Sequence, residues 1–258
     1  MNHLTTNLSK FLYFSLTVFL LHSCASPKDI VYFQGVGDYE TNVGENNHSQ
    51  TFKVDDVVSI NVSTLDPQAS MPFNLVRGMD EGSLRTEQLD YIVDKSGNID
   101  FPVIGQVKIA GLTAEKTKEL LKEKLSSYLK DPIVNIRLKN FTVTILGEVK
   151  APGTYPVIGE QITILEALGL ANDLTIKGKR DNVLVIRDFD GTKVYHRINL
   201  TSKEALDSPV YYLTQNDVVY VEPNKSAITS SSLDNRATIW VSIASVLITS
   251  SVLILTRN

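Results

Sequence analysis

A single cysteine, Cys24, sets the first limit on how this chain can fold. It follows a positive residue, Lys10, and an apolar run of about 11 residues, half of the ~20 that span a bilayer. The small residue Ser23 comes directly before it. This order is typical of a bacterial lipoprotein signal. We therefore expect residues 1–23 to be cleaved off and Cys24 to carry lipid, so that the first 23 residues take no part in the fold.

A lone cysteine also excludes an internal disulfide, so buried apolar side chains must stabilise the fold. About 235 residues follow the predicted cleavage point, which is enough for one or two domains with hydrophobic cores. The apolar fraction, 43%, is ordinary for a globular protein. The net charge is −4, and acidic and basic residues are interspersed rather than gathered on a basic face. We therefore expect no nucleic-acid partner.

Composition and local patterns divide the chain into six segments. Residues 35–50 are polar and rich in glycine, which indicates a loop or linker. The predicted segments are a signal at 1–23, an N-terminal extended linker at 24–50, a first domain at 51–140, a second domain at 141–224, a linker at 225–236 and an apolar helix at 237–256.

The first domain shows both strand and helix patterns. Alternating apolar and polar residues predict a strand over 57–62. Residues 91–93 and 99–103 flank a glycine-containing turn, and we predict that they form a hairpin. Thr113 is the predicted N-cap of a helix whose leucines recur at helical spacing, and Asp131-Pro132 ends that helix.

The second domain repeats this mixture in a different order. A strand over 142–149 is followed by a glycine turn and a returning strand. Thr163 is the predicted N-cap of a short helix. A hairpin follows around the turn 188–191, and the last strand covers 217–221. Hairpin, helix, hairpin and strand is the element order of a β-grasp fold, so we predict the α+β class.

Residues 237–256 form an uncharged stretch of about 20 residues, which as a helix matches one hydrocarbon thickness. We predict a transmembrane helix here, with Trp240 at the membrane interface. The hydroxyl residues recur at helical spacing and would form one stripe: Thr238, Ser242, Ser245, Thr249 and Thr256. Such a stripe either contacts neighbouring helices or lines a watery lumen, or it is incidental to an ordinary anchor.

Several motifs between residues 51 and 224 point to a known family. They are Tyr91-Ile92-Val93-Asp94, Ile99-Asp100-Phe101-Pro102, Asp131-Pro132-Ile133-Val134, Gly147-Glu148-Val149 and Pro152-Gly153-Thr154-Tyr155. On these residues the chain resembles the outer-membrane polysaccharide export proteins (Wza-like), which join a polysaccharide-export domain to soluble-ligand-binding β-grasp (SLBB) modules. This chain has Val54-Asp55 where the family usually has Pro-Gly.

The resemblance implies an export domain at 51–140, one SLBB domain at 141–224 and a C-terminal transmembrane helix. It also implies a lipoprotein of the cell outer membrane that forms a ring-shaped homo-oligomer, often an octamer. Such a ring is a channel that exports capsular or extracellular polysaccharide from the periplasm to the cell surface. The implied partners are an inner-membrane polysaccharide co-polymerase (a chain-length regulator), the exported polysaccharide and membrane lipid. No cofactor or metal is implied.

Two other classes of protein compete with this interpretation. Against an enzyme, His48 and His196 are the only histidines outside the signal, and neither lies in a nucleophile or metal-binding motif. The acidic pair Asp55-Asp56 is typical of a solvated surface, so we expect no enzymatic activity. A monomeric, membrane-anchored β-grasp lipoprotein that binds a soluble saccharide remains the alternative.

Overall fold

The computed structural model describes residues 27–37, 50–77, 87–189, 191–232, 239–243, 245–246 and 249–250. Two clusters of buried apolar side chains organise this part of the chain. One is built from residues between Phe52 and Val134, and the other from residues between Phe141 and Val221. Each cluster is the core of one domain.

Within its described residues, the first domain contains seven strands and two helices. The strands are β1 (Val57–Ser63), β2 (Val76–Arg77), β3 (Glu87–Gln88), β4 (Tyr91–Ile92), β5 (Asn98–Phe101), β6 (Gly105–Lys108) and β7 (Ile133–Leu138). The helices are α1 (Pro67–Ser70), which a 3-10 turn at Met71–Phe73 extends, and α2 (Ala114–Leu125). Strand β1 lies between β4 and β7 in an antiparallel sheet, while β2 pairs with β3 and β5 pairs with β6.

Helix α2 closes the core of the first domain. The predicted N-cap is confirmed, since the Thr113 side chain accepts a hydrogen bond from the Lys116 backbone N–H at 3.2 Å. Thr117, Leu121 and Leu125 follow at intervals of one helical turn and are fully buried. The amphipathic pattern in the sequence therefore fixes which face of α2 packs on the domain core.

The predicted hairpin between residues 91–93 and 99–103 is wrong in its pairing. Strand β4 pairs with β1, and β5 pairs with β6 instead. The turn itself is present, because the Asp94 carboxylate accepts hydrogen bonds at 2.8 Å from the backbone of Ser96 and of Asn98. Side chains then connect the two segments, since the rings of Tyr91 and Phe101 stack with centroids 5.5 Å apart. Long-range pairing with β1 decides the position of β4.

The second domain is a mixed sheet with a helix on one face. Its elements are β8 (Thr142–Gly147), β9 (Gly153–Pro156), β10 (Ile162–Thr163), α3 (Ile164–Leu170), β11 (Gly178–Phe189), β12 (Thr192–Ile198), β13 (Tyr212–Leu213), β14 (Val218–Pro223) and α4 (Lys225–Ser232), with a 3-10 helix at Lys203–Asp207. The five-stranded sheet has the order β12-β11-β14-β8-β9, in which β8 and β14 are parallel and the other pairs antiparallel. The element order predicted for this domain is therefore confirmed.

Helix α3 begins at a capping box, as the sequence predicts for Thr163. The Thr163 hydroxyl accepts a hydrogen bond from the Glu166 backbone N–H, and the Glu166 carboxylate accepts one from the Thr163 backbone N–H at 2.7 Å. Ile164, Ala167 and Leu168 on this helix are buried in the domain core. Helix α3 thus covers the inner face of the five-stranded sheet.

A buried ion pair joins two central strands of the second domain. The Arg187 guanidinium donates to both carboxylate oxygens of Asp217, with a shortest distance of 2.8 Å. Their side chains are 7% and 0% exposed, respectively. Arg187 also donates to the Tyr212 carbonyl, and the Asp217 carboxylate accepts hydrogen bonds from the backbone and hydroxyl of Thr214. Both carboxylate oxygens of Asp217 and the Nε and Nη2 donors of Arg187 are thereby hydrogen-bonded, as burial of charge requires.

The predicted transmembrane helix at residues 237–256 is wrong. In the part of the chain that the structure describes, every helix is too short or too polar to cross a membrane.

The chain enters β1 through a residue with unusual backbone geometry. Asp55 has φ +67°, in the left-handed region that favours glycine. Hydrogen bonds hold this conformation on both sides: the Asp55 N–H donates to the Val93 carbonyl at 3.0 Å, and the Asp55 carbonyl accepts from the Asn140 side chain at 3.1 Å. Asp55 is also the position where the related family usually has glycine. The backbone geometry explains that preference.

We predict that Asp55→Gly raises the free energy of unfolding by about 1 kcal/mol, because glycine adopts this conformation without the clash between Cβ and carbonyl oxygen. Both backbone hydrogen bonds of residue 55 are kept. Urea unfolding followed by circular dichroism measures the change. Asp90→Gly is the matched control, since Asp90 is exposed and outside the set of positive-φ residues, and it should give no gain. Equal or lower stability of Asp55→Gly than of wild type would show that the left-handed backbone at Asp55 costs no stability.

Candidate functional site

The predicted site residues fall into two groups. Cys24, Thr238 and Thr256 lie outside the described residues. The structure places Trp240 with 69% of its surface exposed. The other three members of the hydroxyl stripe are exposed as well: Ser242, Ser245 and Thr249.

The described hydroxyls of the stripe bind their own backbone. The Ser245 hydroxyl donates to the Ser242 carbonyl, and the Thr249 hydroxyl donates to the Ser245 carbonyl, each at 2.8 Å. Such bonds reduce the polarity of a serine or threonine on a helix. The spacing of three and four residues between them corresponds to about one helical turn. Their contact with another helix or with a lumen stays a prediction.

One asparagine connects the two domains. The Asn140 side chain accepts a hydrogen bond from the Val57 N–H at 2.9 Å and donates to the Asp55 carbonyl at 3.1 Å, so it is fixed to the entry of β1. Its own backbone carbonyl accepts a hydrogen bond from the Gln215 side chain of the second domain at 3.5 Å. Asn140 therefore binds the first domain through its side chain and the second through its main chain.

Lys53 makes a second connection between the domains. Its ammonium group donates to the Asp188 carbonyl at 3.2 Å and lies 5.9 Å from the centre of the Phe189 ring. Its backbone N–H donates to the carboxylate of Asp56 at 2.9 Å. Asp56 is only 2% exposed, and this burial raises the pKa of its carboxyl. We call the contacts of Asn140 and Lys53 the domain joint, because they connect the two domains.

The segment just after Cys24 docks on the second domain, not on the first. We call residues 31–34 the N-terminal strap. The Phe33 N–H donates to the Leu200 carbonyl at 3.2 Å, and the Gln34 N–H donates to the Thr201 carbonyl at 2.6 Å. Gln34 also forms a parallel bridge with Ser202. The N-terminal strap therefore adds backbone hydrogen bonds to an existing domain.

Side chains hold the N-terminal strap in place. The Tyr32 hydroxyl donates to the Asp173 carboxylate at 2.6 Å, and the guanidinium of the buried Arg180 lies 5.4 Å from the centre of the Tyr32 ring. Burial of Tyr32 and the neighbouring carboxylate of Asp173 raise the pKa of the Tyr32 hydroxyl well above its usual range. Tyr32 and Phe33 also pack against the core of the second domain. The adjacent aromatic pair was the signal that sequence analysis missed when it assigned residues 24–50 to a linker.

Candidate metal ligands are scattered over the part of the chain that the structure describes. No three or more His, Cys, Asp or Glu side chains are grouped there so that they could hold a metal ion. His196 is half-buried on β12, and His48 lies outside the described residues. The contacts described above are those of the domain joint and of the N-terminal strap, which connect segments of the chain.

Comparison with protein families gives two matches, which lie one after the other. The family model "Polysaccharide biosynthesis/export protein" matches residues 45–139. The model "SLBB domain" matches residues 142–221. The boundary between the two matches falls at Asn140, the residue of the domain joint.

Two curated proteins are similar to part of the chain. Both are described as "EPS I polysaccharide export outer membrane protein EpsA", one from Ralstonia solanacearum and one from Ralstonia nicotianae. Each is 27% identical over 141 residues, which is 53% of this chain. The match spans 37% of the first relative's length and 36% of the second's. With an export domain and an SLBB domain in succession, the chain belongs to the family of polysaccharide export proteins.

Proposed function

We propose that this chain is the subunit of an oligomeric lipoprotein channel at the cell outer membrane, which exports capsular or extracellular polysaccharide from the periplasm to the cell surface. The observation that carries the proposal is the succession of an export domain at 45–139 and an SLBB domain at 142–221, which the domain joint connects. The names of the two curated relatives, both polysaccharide export proteins of the outer membrane, support the same process.

Lipid on Cys24 would anchor the assembly to the membrane. The N-terminal strap would connect the lipidated residue to the second domain, to which the strap is bound. Tyr32 follows Cys24 by eight residues, a stretch that reaches at most about 28 Å when fully extended. Since Tyr32 is bound to the second domain, the lipid would hold that domain close to the membrane surface. More than one acyl chain at the cysteine makes such anchoring stable.

A homo-oligomeric ring gives the exported polymer its path. A head-to-tail arrangement of identical subunits closes into a ring with a central passage, which one subunit cannot enclose. The interspersed charges of the chain, with a net charge of −4, suit a passage that does not trap its cargo. An inner-membrane polysaccharide co-polymerase, which regulates chain length, would deliver the polymer. No enzymatic step is part of the proposal.

We also propose that the hydroxyl stripe is the contact between C-terminal segments of neighbouring copies. Small hydroxyl side chains let helices approach closely. Joint replacement of Ser242, Ser245 and Thr249 by leucine should therefore lower the number of copies per particle, measured as native mass in mild detergent. The matched control places leucine at Ile239, Ile243 and Val246, which are exposed and apolar already. Unchanged mass of the hydroxyl variant would contradict a contact role.

The proposed function predicts that Cys24→Ser abolishes lipidation and export together. In a strain lacking this chain, the wild-type gene should restore surface polysaccharide, and Cys24→Ser should not. The measurements are surface polysaccharide on intact cells, the membrane-bound fraction of the protein and its intact mass. Ser26→Ala, two residues further along, is the matched control and should behave as wild type.

Three outcomes would oppose the proposed function in different ways. Normal surface polysaccharide in the strain that lacks the chain would contradict an export role. Full membrane attachment and full export by Cys24→Ser would contradict the lipid anchor but leave export standing. A lipidated protein that stays monomeric and binds saccharide without exporting it would favour the alternative of a membrane-anchored binding lipoprotein.

A further inference from the structure

The loop between α3 and β11 ends in a tight turn with an apolar tip. The Gly178 N–H donates to the Thr175 carbonyl at 3.1 Å, so Ile176 and Lys177 are the two central residues of the turn. Glycine, proline, asparagine, aspartate and serine are the usual residues of such turns. Ile176 stands there instead, and it is 64% exposed. An apolar side chain held outside the fold by an ordered turn indicates a contact beyond the subunit.

Helix α4 lies directly beside this turn. The Asn224 N–H donates to the Lys177 carbonyl at 2.7 Å, and the Lys177 ammonium group donates to the Ser230 hydroxyl at 3.3 Å. Ile228 follows Asn224 by one helical turn and therefore lies on the same face of the helix. It is 54% exposed. Helix α4 thus adds a second exposed isoleucine next to the turn.

The N-terminal strap reaches the same end of the second domain. The Arg180 guanidinium, which lies over the Tyr32 ring, donates to the Thr175 carbonyl at 3.3 Å. Val31, the neighbour of Tyr32 in the chain, is 52% exposed. Three separate segments therefore place an exposed aliphatic side chain at one end of the second domain, which we call the apolar end: Val31, Ile176 and Ile228.

Positive charge accompanies the apolar end. The three segments that form it, residues 27–34, 175–178 and 224–232, contain three lysines and one acidic residue, Asp29. Each exposed aliphatic residue has an exposed lysine within three positions along the chain: Lys28, Lys177 and Lys225. Aliphatic side chains bordered by ammonium groups match a phospholipid layer, in which phosphates lie above hydrocarbon.

The position of the apolar end agrees with a membrane contact. The Thr175 N–H donates to the Glu148 carbonyl just after β8, whereas Asn140 of the domain joint lies just before β8. The six residues of that strand separate the two ends by roughly 20 Å. Lys28 follows Cys24 by four residues, a stretch that reaches at most about 14 Å. Lipid on the cysteine would therefore bring the apolar end, and not the domain joint, to the membrane surface.

We infer that the apolar end lies against phospholipid headgroups, with Ile176 and Ile228 inserted among them and the neighbouring lysines bound to lipid phosphates. A second copy fits this surface less well, because two apolar ends placed face to face would bring lysines opposite lysines. The inference rests on the proposed function, since lipid on Cys24 supplies the membrane. It adds the side chains that contact the membrane and the orientation of the second domain on it.

Site-specific fluorescence tests this inference on the full lipidated chain in vesicles of phosphatidylethanolamine and phosphatidylglycerol. Cys24 is the only cysteine and its sulfur carries the lipid, so Ile176→Cys introduces one reactive thiol. A bimane label at residue 176 should lose fluorescence when the vesicles contain lipids with a nitroxide in the headgroup region. Iodide in the water should quench it little. Ile228→Cys should give the same result, and joint replacement of Lys177 and Lys225 by glutamine should lower the quenching by nitroxide lipids at residue 176.

Ile158→Cys is the matched control. Ile158 is a fully exposed isoleucine of the same domain, but it lies at the end near the domain joint, because the adjacent Val157 N–H donates to the Phe141 carbonyl at 2.9 Å. A label at residue 158 should be quenched by iodide and not by nitroxide lipids. Equal quenching by nitroxide lipids at residues 158 and 176 would overturn the inference.

The remaining outcomes separate this inference from the proposed function. A label at residue 176 that iodide reaches freely, in a strain whose export needs the chain, overturns the inference and leaves export standing. A label shielded from both quenchers until the particle is dissociated shows a contact between copies, and the inference is then wrong. Labelling of the wild type would show an unmodified Cys24 and would contradict the lipid anchor of the proposed function instead.

Discussion

The arrangement of the protein depends on hydrogen bonds that Asn140 makes to both domains. Its side chain is held by the backbone on either side of Asp56, and its carbonyl accepts from Gln215. Lys53 lies two residues before Asp55, in the segment that leads into β1. Its ammonium group donates to the Asp188 carbonyl of the second domain. These hydrogen bonds, at 3.5 Å and 3.2 Å, connect two domains whose cores are separate.

In the proposed function, the N-terminal strap gives the subunit a direction relative to the membrane. The backbone bonds of Phe33 and Gln34, together with the Tyr32–Asp173 hydrogen bond, attach the segment after Cys24 to the second domain. The domain joint reaches the same domain at Asp188 and Gln215. Lipid on Cys24 would thereby be connected through the second domain to the export domain.

Features that depend on neighbouring residues, such as helix caps, could be predicted from the sequence. Contacts between residues far apart in the sequence, such as the pairing of β4 and the docking of the N-terminal strap, could not. The helix caps at Thr113 and Thr163 are short-range hydrogen bonds, and both are confirmed. The partner of β4 was mispredicted because β1, far away in sequence, competes with the nearby β5. Docking of the N-terminal strap depends on Asp173 and Arg180, which no local pattern connects to Tyr32. The transmembrane helix predicted at 237–256 is wrong, since within the described residues no helix is long and apolar enough to cross a membrane.

The measurement that tests the central claim most directly is the native mass of the full chain, extracted from membranes in mild detergent. The account predicts a particle of several copies, each with a mass increased by acyl chains and decreased by the loss of residues 1–23. Its ring shape would then be visible by electron microscopy. A chain that remains monomeric in every detergent, or that keeps residues 1–23 and carries no lipid, would contradict the account.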